Sequence, residues 1–280
     1  MIKISSMVGA PDLETPTLAP YSGDLGLAFK KLSALGYEGV ELMTKRPSSL
    51  DCQALRQILA ENQLALAGLC TGHVFGEDHL GLVTPELQID PDAVARLKEF
   101  IDLAACIGPG TLVNIGRSRG WGDPERKKAT LHAATEAIQD LSDYARPLQV
   151  RIILEPINRK EARYIHSTQN GVELVRQVDR PNFGLMLDTY HMYLEDADMI
   201  SSLYTAAPYC WHLHISDSNR CYPGSGVIRF DQVIAALNDV GFDGFIGTEI
   251  QPWPDADSAA RLSIEYLRKL VPDHHHFPIE

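Results

Sequence analysis

Eight short apolar runs recur along the chain, most of them followed by a longer segment of helical period. No other feature narrows the fold as much. The runs are IKISSMV (2–8), GVELMT (39–44), LALAGLC (64–70), TLVNIG (111–116), RIILEPI (151–157), FGLMLDT (183–189), CWHLHIS (210–216) and GFIGTEI (244–250). Between them lie helical patterns such as LGLAFKKLSALG (25–36), LDCQALRQILAENQ (50–63), PDAVARLKEFIDLAACIG (91–108), ERKKATLHAATEAIQDLSDYAR (125–146), TQNGVELVRQVD (168–179) and FDQVIAALNDVG (230–241). Asp90 before Pro91 is a helix start, and Gly36, Gly108 and Gly241 are helix stops. Strands that alternate with helices form a parallel sheet. Eight such units without a linker or composition break predict one closed (β/α)₈ TIM barrel, an α/β fold spanning 1–280 as a single domain. Open doubly wound sheets that bind nucleotides carry GxGxxG or GxxxxGK[ST] after the first strand, and neither is present.

A barrel gathers its chemistry at the C-terminal ends of its strands. The fifth run reaches Glu155 there, the sixth Asp188, the seventh His214 and the eighth Glu249. These four are 26 to 35 residues apart, about one βα unit each, so consecutive strands deliver one group apiece to the same mouth. Three carboxylates crowded together repel, and a bound cation removes that cost. Three oxygen donors and one imidazole suit a single divalent ion such as Mn²⁺, with Mg²⁺ or Co²⁺ as alternatives; a thiolate-rich set would suit zinc. In HLHISDSNR (212–220), His212 and His214 must point to the same face of their strand. With His214 as a ligand, His212 lies deeper and is expected to hydrogen-bond behind it.

The formal charge of -12 argues against a nucleic-acid partner, whose phosphates are met by Lys and Arg. No stretch approaches about 18 consecutive apolar residues, so no membrane span is expected. Five cysteines without CxxC spacing suggest reduced thiols in a cytoplasmic protein, and MIKISSMVGA lacks a signal core. The tail DHHHFPIE is expected to be solvated rather than a metal site.

Four segments carry a resemblance: LEPINRKEARYI (154–165), MLDTYHMYLED (186–196), HLHISDSNRCYPGSGVIRFD (212–231) and FIGTEIQPWPD (245–255). They resemble the sugar isomerase/epimerase family of xylose-isomerase-like TIM barrels, and most of all its ketose 3-epimerases acting on D-tagatose, D-psicose or 5-keto-L-gluconate. The resemblance implies Glu155, Asp188, His214 and Glu249 as metal ligands and Glu155 with Glu249 as the acid/base pair. It also implies Glu161, His191 and Arg220 as substrate contacts, and a dimer or tetramer. Where the family usually has an aromatic residue before the substrate glutamate, this chain has Lys160, which suits an acidic or phosphorylated sugar. Arg117, Arg119 and Trp121 in GRSRGWGD point the same way, because guanidinium groups bind carboxylates bidentately; solvated loop charges are the alternative.

The implied reaction is proton transfer at C3 of a ketose or keto-sugar acid through a metal-stabilised cis-enediolate. One glutamate takes the proton from one face and the other returns one to the opposite face. An aldose–ketose isomerase of the hydroxypyruvate or inosose type would use the same groups. A three-zinc DNA-repair barrel would need a histidine on the fourth strand, where this chain has Asn114, and a DxH after His214, which it lacks. His73 remains open as a pocket residue, and Asp217 and Asn219 are expected to shape a loop.

Overall fold

The computed structural model describes residues 1–15, 17–108 and 111–271. The histidine-containing tail (273–280) lies outside the described residues. Every apolar run contains a strand, with ends within three residues of the sequence expectation: β1 (Lys3–Gly9), β2 (Gly39–Met43), β3 (Ala65–Cys70), β4 (Leu112–Ile115), β5 (Arg151–Leu154), β6 (Phe183–Asp188), β7 (Cys210–Ile215) and β8 (Phe245–Thr248). Each pairs in parallel with the next. β1 then pairs with β8 from Lys3↔Phe245 to Ser6↔Thr248, which closes the ring. A two-residue strand, Tyr21–Ser22, continues alongside β1 where β8 has ended.

Helices α1 (Leu25–Leu35), α2 (Cys52–Glu61), α3 (Gly72–Gly76), α4 (Pro91–Ile107) and α5 (Lys127–Ala145) surround the first half of the barrel. Around the second half lie α6 (Thr168–Val178), α7 (Thr189–Glu195), α8 (Met199–Ala206), α9 (Phe230–Asp239) and α10 (Ala256–Leu270). Asp90 caps α4 as the sequence suggested, accepting from the N–H groups of Asp92 and Ala93. Gly36 ends α1 at φ 93°, a left-handed conformation that glycine adopts at little cost. The main core fills the space between barrel and helices, where Phe29, Phe100 and Phe230 are fully buried. Each such ring contributes about 1.5–3 kcal/mol by leaving water.

Inside the barrel, the alternation of side chains decides the filling. A bottom layer of Leu112, Ile153 and Met186 packs against Trp211. Near the mouth Met7, Met43 and Cys70 form a second apolar group. Between these layers the interior turns polar, with Ser5, Glu41 and His212 all buried. That middle layer departs from the Val, Ile and Leu that usually fill a barrel.

One expectation about the cysteines is corrected. Cys52 and Cys106 form a disulfide that ties the start of α2 to the end of α4. The packing of α2 on α4 brings residues 54 apart in sequence to a Cα separation of 6.4 Å, a proximity that spacing along the chain cannot reveal. Cys70, Cys210 and Cys221 are free and buried, as expected of structural thiols.

Candidate active site

Each of the four strand-end groups has one face fixed by the fold and another turned inward. Asp188 is the N-cap of α7: its Oδ1 accepts from the N–H groups of Tyr190 (2.7 Å) and His191 (3.3 Å), leaving Oδ2 free. Glu155 follows β5, and its Oε2 lies 3.5 Å from Asn114 Nδ2. His214 places Nε2 2.7 Å from Glu41 Oε2 and turns Nδ1 to the other side. Glu249 follows β8 and accepts from Arg220 Nη2.

Glu155 Oε1, Asp188 Oδ2 and His214 Nδ1 are buried without a hydrogen-bond partner. Three orphaned polar atoms in one place are expensive unless something binds them. Together with a carboxylate oxygen of Glu249, they lie within 4.8 Å of one another. The donor set fits a hard divalent cation. Electrostatics agree. Burial, reinforced by Glu249 and Glu155 and opposed by Arg220, pushes Asp188 up to about 8, so without a cation it would hold a proton at neutral pH. Burial works against charge on His214, but Glu41 and Glu249 overcome it and hold the imidazole protonated well above its ordinary range. A cation would replace both protons. A second group, Glu41, Cys70 and His214, also converges, but burial pushes the Cys70 thiol up to about 12 and His214 Nε2 is already taken by Glu41.

Glu41 is the residue that sequence reasoning missed. It stands on β2, accepts from Ser5 Oγ at 2.8 Å, and faces His212 Nε2 at 3.0 Å as well as His214. This explains why β7 points two imidazoles inward: they meet a carboxylate from across the barrel. Once a cation displaces the Nδ1 proton, such a partner keeps the remaining proton on Nε2 and the Nδ1 lone pair directed at the cluster. Gly247 on β8 makes room, since a Cβ there would overlap Glu41 Oε1.

The predicted substrate contacts line the mouth above. His191 is buried, with Nδ1 2.9 Å from Asn158 Nδ2 and Nε2 3.8 Å from Glu155 Oε1. Burial and the Arg220 charge hold it well below its usual range, so it is neutral. Asn158, also unforeseen, donates to Glu161 Oε1 at 2.8 Å and so joins two of the predicted residues. Arg220 adopts φ 62°, a conformation rare for arginine and common at functional sites. Its guanidinium sits over Tyr190, 4.6 Å from the ring centroid, and 3.7 Å from Asp188 Oδ2. Asp217 organises the loop that follows β7 and carries Arg220, accepting from the N–H groups of Ser218, Gly224 and Ile228.

A cavity of about 170 Å³ opens over these groups, lined by Glu155, Glu161, His191, Arg220 and Glu249 together with His73 and Arg117. Arg119 is not on it. It is fully buried, and its guanidinium donates to the carbonyls of Gly116, Glu155, Tyr164 and Ile165. Its role is to clamp two loops together, which corrects the expectation of a carboxylate ligand. A larger cavity of about 510 Å³ lies around the N-terminal ends of the strands, but its walls hold no histidine and one carboxylate, Asp243.

Glu77 fastens the rim. It accepts from the N–H groups of Glu14 (3.1 Å) and Thr15 (3.0 Å) and pairs with Lys45 at 2.8 Å. Burial raises its pKa, but Lys45 and the two N–H groups outweigh that and bring it from 4.5 down to about 2. A depressed carboxylate stabilises the folded state fully above its unfolded pKa and loses that contribution as pH falls through the folded value. The expected contribution is about 1–2 kcal/mol, with screening by solvent allowed for. The melting-temperature gap between the parent and Glu77→Gln should therefore be full at pH 6 and close between pH 4.5 and 2. A gap that stays constant over that range would refute the assignment.

Fold and site together define a (β/α)₈ barrel with a carboxylate–histidine cluster at its catalytic end. The xylose isomerase-like TIM barrel model matches residues 29–270, and the chain belongs to that family. A ketose 3-epimerase from Arthrobacter globiformis is 30% identical over 223 residues, covering 77% of this chain and 73% of that protein. An L-ribulose 3-epimerase from Methylomonas sp. is 28% identical over 262 residues, 84% of this chain and 87% of its own. Among solved structures, a D-psicose 3-epimerase from Clostridium cellulolyticum H10 with D-tagatose superposes with a TM-score of 0.80, at 22% identity, over 95% of this chain and 99% of that one. At that identity the likeness speaks for the fold alone. No helix among the described residues is long and apolar enough to cross a membrane.

Proposed function

We propose that this chain is a divalent-metal-dependent ketose 3-epimerase acting on a ketose or keto-sugar acid, with the 280 residues forming one domain. The observation that carries the reading is the convergence of unpartnered buried atoms of Glu155, Asp188 and His214 with the Glu249 carboxylate. The names of the relatives agree with it. Glu155, Asp188, His214 and Glu249 would hold the ion, with Mn²⁺ the first candidate and Mg²⁺ or Co²⁺ the others. When bound, such an ion supplies Lewis acidity that lowers the cost of enediolate charge.

The protein's own groups do the proton work. Glu155 and Glu249 follow β5 and β8, with two strands between them, so they approach a bound carbon from different sides. One removes the C3 proton from one face, and the other delivers a proton to the opposite face. Their roles reverse for the back reaction. Neutral His191 and cationic Arg220 hydrogen-bond substrate oxygens, and Arg220 also keeps Glu249 charged: burial raises that carboxyl, but Arg220 and His214 hold it well below the usual range. Glu161, steadied by Asn158, offers a further acceptor for a hydroxyl.

The test is solvent exchange in D₂O with Mn²⁺ present, followed by NMR on a panel of ketoses and keto-sugar acids. Deuterium at C3 of a ketohexose, with the C3 epimer accumulating, is the expected result. Deuterium at C1 with an aldose product would instead make the enzyme an aldose–ketose isomerase. No exchange on any compound, with the ion bound, would overturn the two-glutamate scheme.

A further inference from the structure

The 170 Å³ inner cavity is smaller than the roughly 300–1,000 Å³ usual for small-molecule sites. A second cavity of about 390 Å³ adjoins it, and Arg117 and Glu161 belong to the walls of both. The joined space lies between the loops that follow β4 and β5. Its wall is built on an aromatic pair: Phe75 and Trp121 meet at 65°, with centroids 5.1 Å apart. Arg117 lies over Phe75 with Cζ 5.9 Å from the centroid, and Arg163 lies over Trp121 at 5.3 Å. A guanidinium stacked on a ring is oriented while its N–H edge stays free.

Among the described residues, Arg117, Arg163 and Lys160 have no carboxylate partner, although all three line this cavity. Arg159 on the same wall differs, since Glu195 takes up its guanidinium at 2.7 Å. Glu161 is the one acidic residue in the wall. Beneath it, the Arg119 guanidinium donates to carbonyl groups and makes no ion pair among the described residues. In a chain of net charge -12, this is a local reversal of sign. Such a concave cationic patch raises the local concentration of anions. Neutral donors suffice for sugar hydroxyls; oriented guanidinium groups gain most from a carboxylate or phosphate, which they meet with two parallel charge-assisted bonds.

Resting on the epimerase reading of the inner site, we propose that the side cavity is an anion subsite and that the substrate is a ketose whose terminal carbon, remote from the reacting one, carries a carboxylate or a phosphate. D-fructose, D-fructuronate and D-fructose 6-phosphate share one skeleton and differ only at C6. Their affinities for the Mn²⁺-loaded enzyme are read by calorimetry, and C3 deuterium exchange is followed in parallel.

At least one anion should bind about 10-fold or more tighter than D-fructose. In the Lys160→Gln/Arg163→Gln variant, whose two side chains line the side cavity and not the inner one, that preference should shrink by about five-fold or more, with D-fructose affinity and melting temperature unchanged. The stronger of the two anions identifies the group. D-fructose binding as tightly as both anions, no binding of either anion, or a preference that survives the double substitution would overturn the subsite. An anion preference without C3 exchange would leave the subsite standing and overturn the epimerase reading. Exchange on D-fructose without an anion preference would do the reverse.

Discussion

Glu249→Gln should abolish epimerisation while leaving deuterium exchange with one of the two epimers, and Glu155→Gln should do the same with the other epimer. Glutamine keeps the shape of glutamate and one oxygen donor, so the four-donor cluster is only partly weakened. It cannot accept a proton at neutral pH, so one face of the bound carbon loses its base. The carboxylate that remains can still remove a proton from the epimer that presents hydrogen to its side. The expected loss in interconversion is about 100- to 10,000-fold for each variant. Elemental analysis of bound metal separates this effect from simple loss of the ion. Interconversion within about ten-fold of the parent in either variant, with metal retained, would end the two-glutamate assignment.

Glu41→Gln is the second large effect, although Glu41 contributes no donor to the four-residue cluster. His214 Nε2 lies 2.7 Å from Glu41 Oε2, which directs its Nδ1 lone pair at the cluster. The negative charge of Glu41 also makes that imidazole a stronger donor. Burial works against this charge, yet His212 and His214 hold Glu41 well below the usual carboxylate range. Neutralising such a partner typically costs 10- to 100-fold in metal affinity, and a loss of about that size is expected for Mn²⁺. Competition with a fluorescent chelator measures it directly. Affinity within two-fold of the parent would show that His214 needs no carboxylate behind it. The apo variant should also be less stable, by about 3 kcal/mol, because the buried His214 imidazolium loses its counter-charge.

The parts of this molecule written in local sequence were legible before the structure. Eight apolar runs became eight strands, and the convergence of Glu155, Asp188, His214 and Glu249 could be foreseen because each stands near the end of its own run. Glu41 could not be read that way. It sits inside GVELM with no polar neighbour, and its partner His214 lies 173 positions away across the barrel. Parity held a clue, since Glu41 and Met43 share the inward face of β2, but nothing local says which residue waits opposite. Arg119 failed for another reason. Grouped with Arg117 by sequence, it is separated from it by the tight turn Arg117–Arg119, which leaves Arg117 exposed and Arg119 buried. The disulfide and the Asn158 bridge belong to the same class, contacts made by packing rather than by spacing.

Gly247 has a further meaning. Its missing side chain lets a carboxylate from β2 lie beside β8 and brace an imidazole of β7, so three strands lock together just beneath the donors. The spacing of those donors is thus a property of the barrel's girth, whereas what reaches them is decided by the loops that carry Arg117, Lys160 and Arg163. Insertions or substitutions in those loops can change the clientele without retuning the chemistry, while a single methyl group at Gly247 would disturb the chemistry and leave the entrance unaltered.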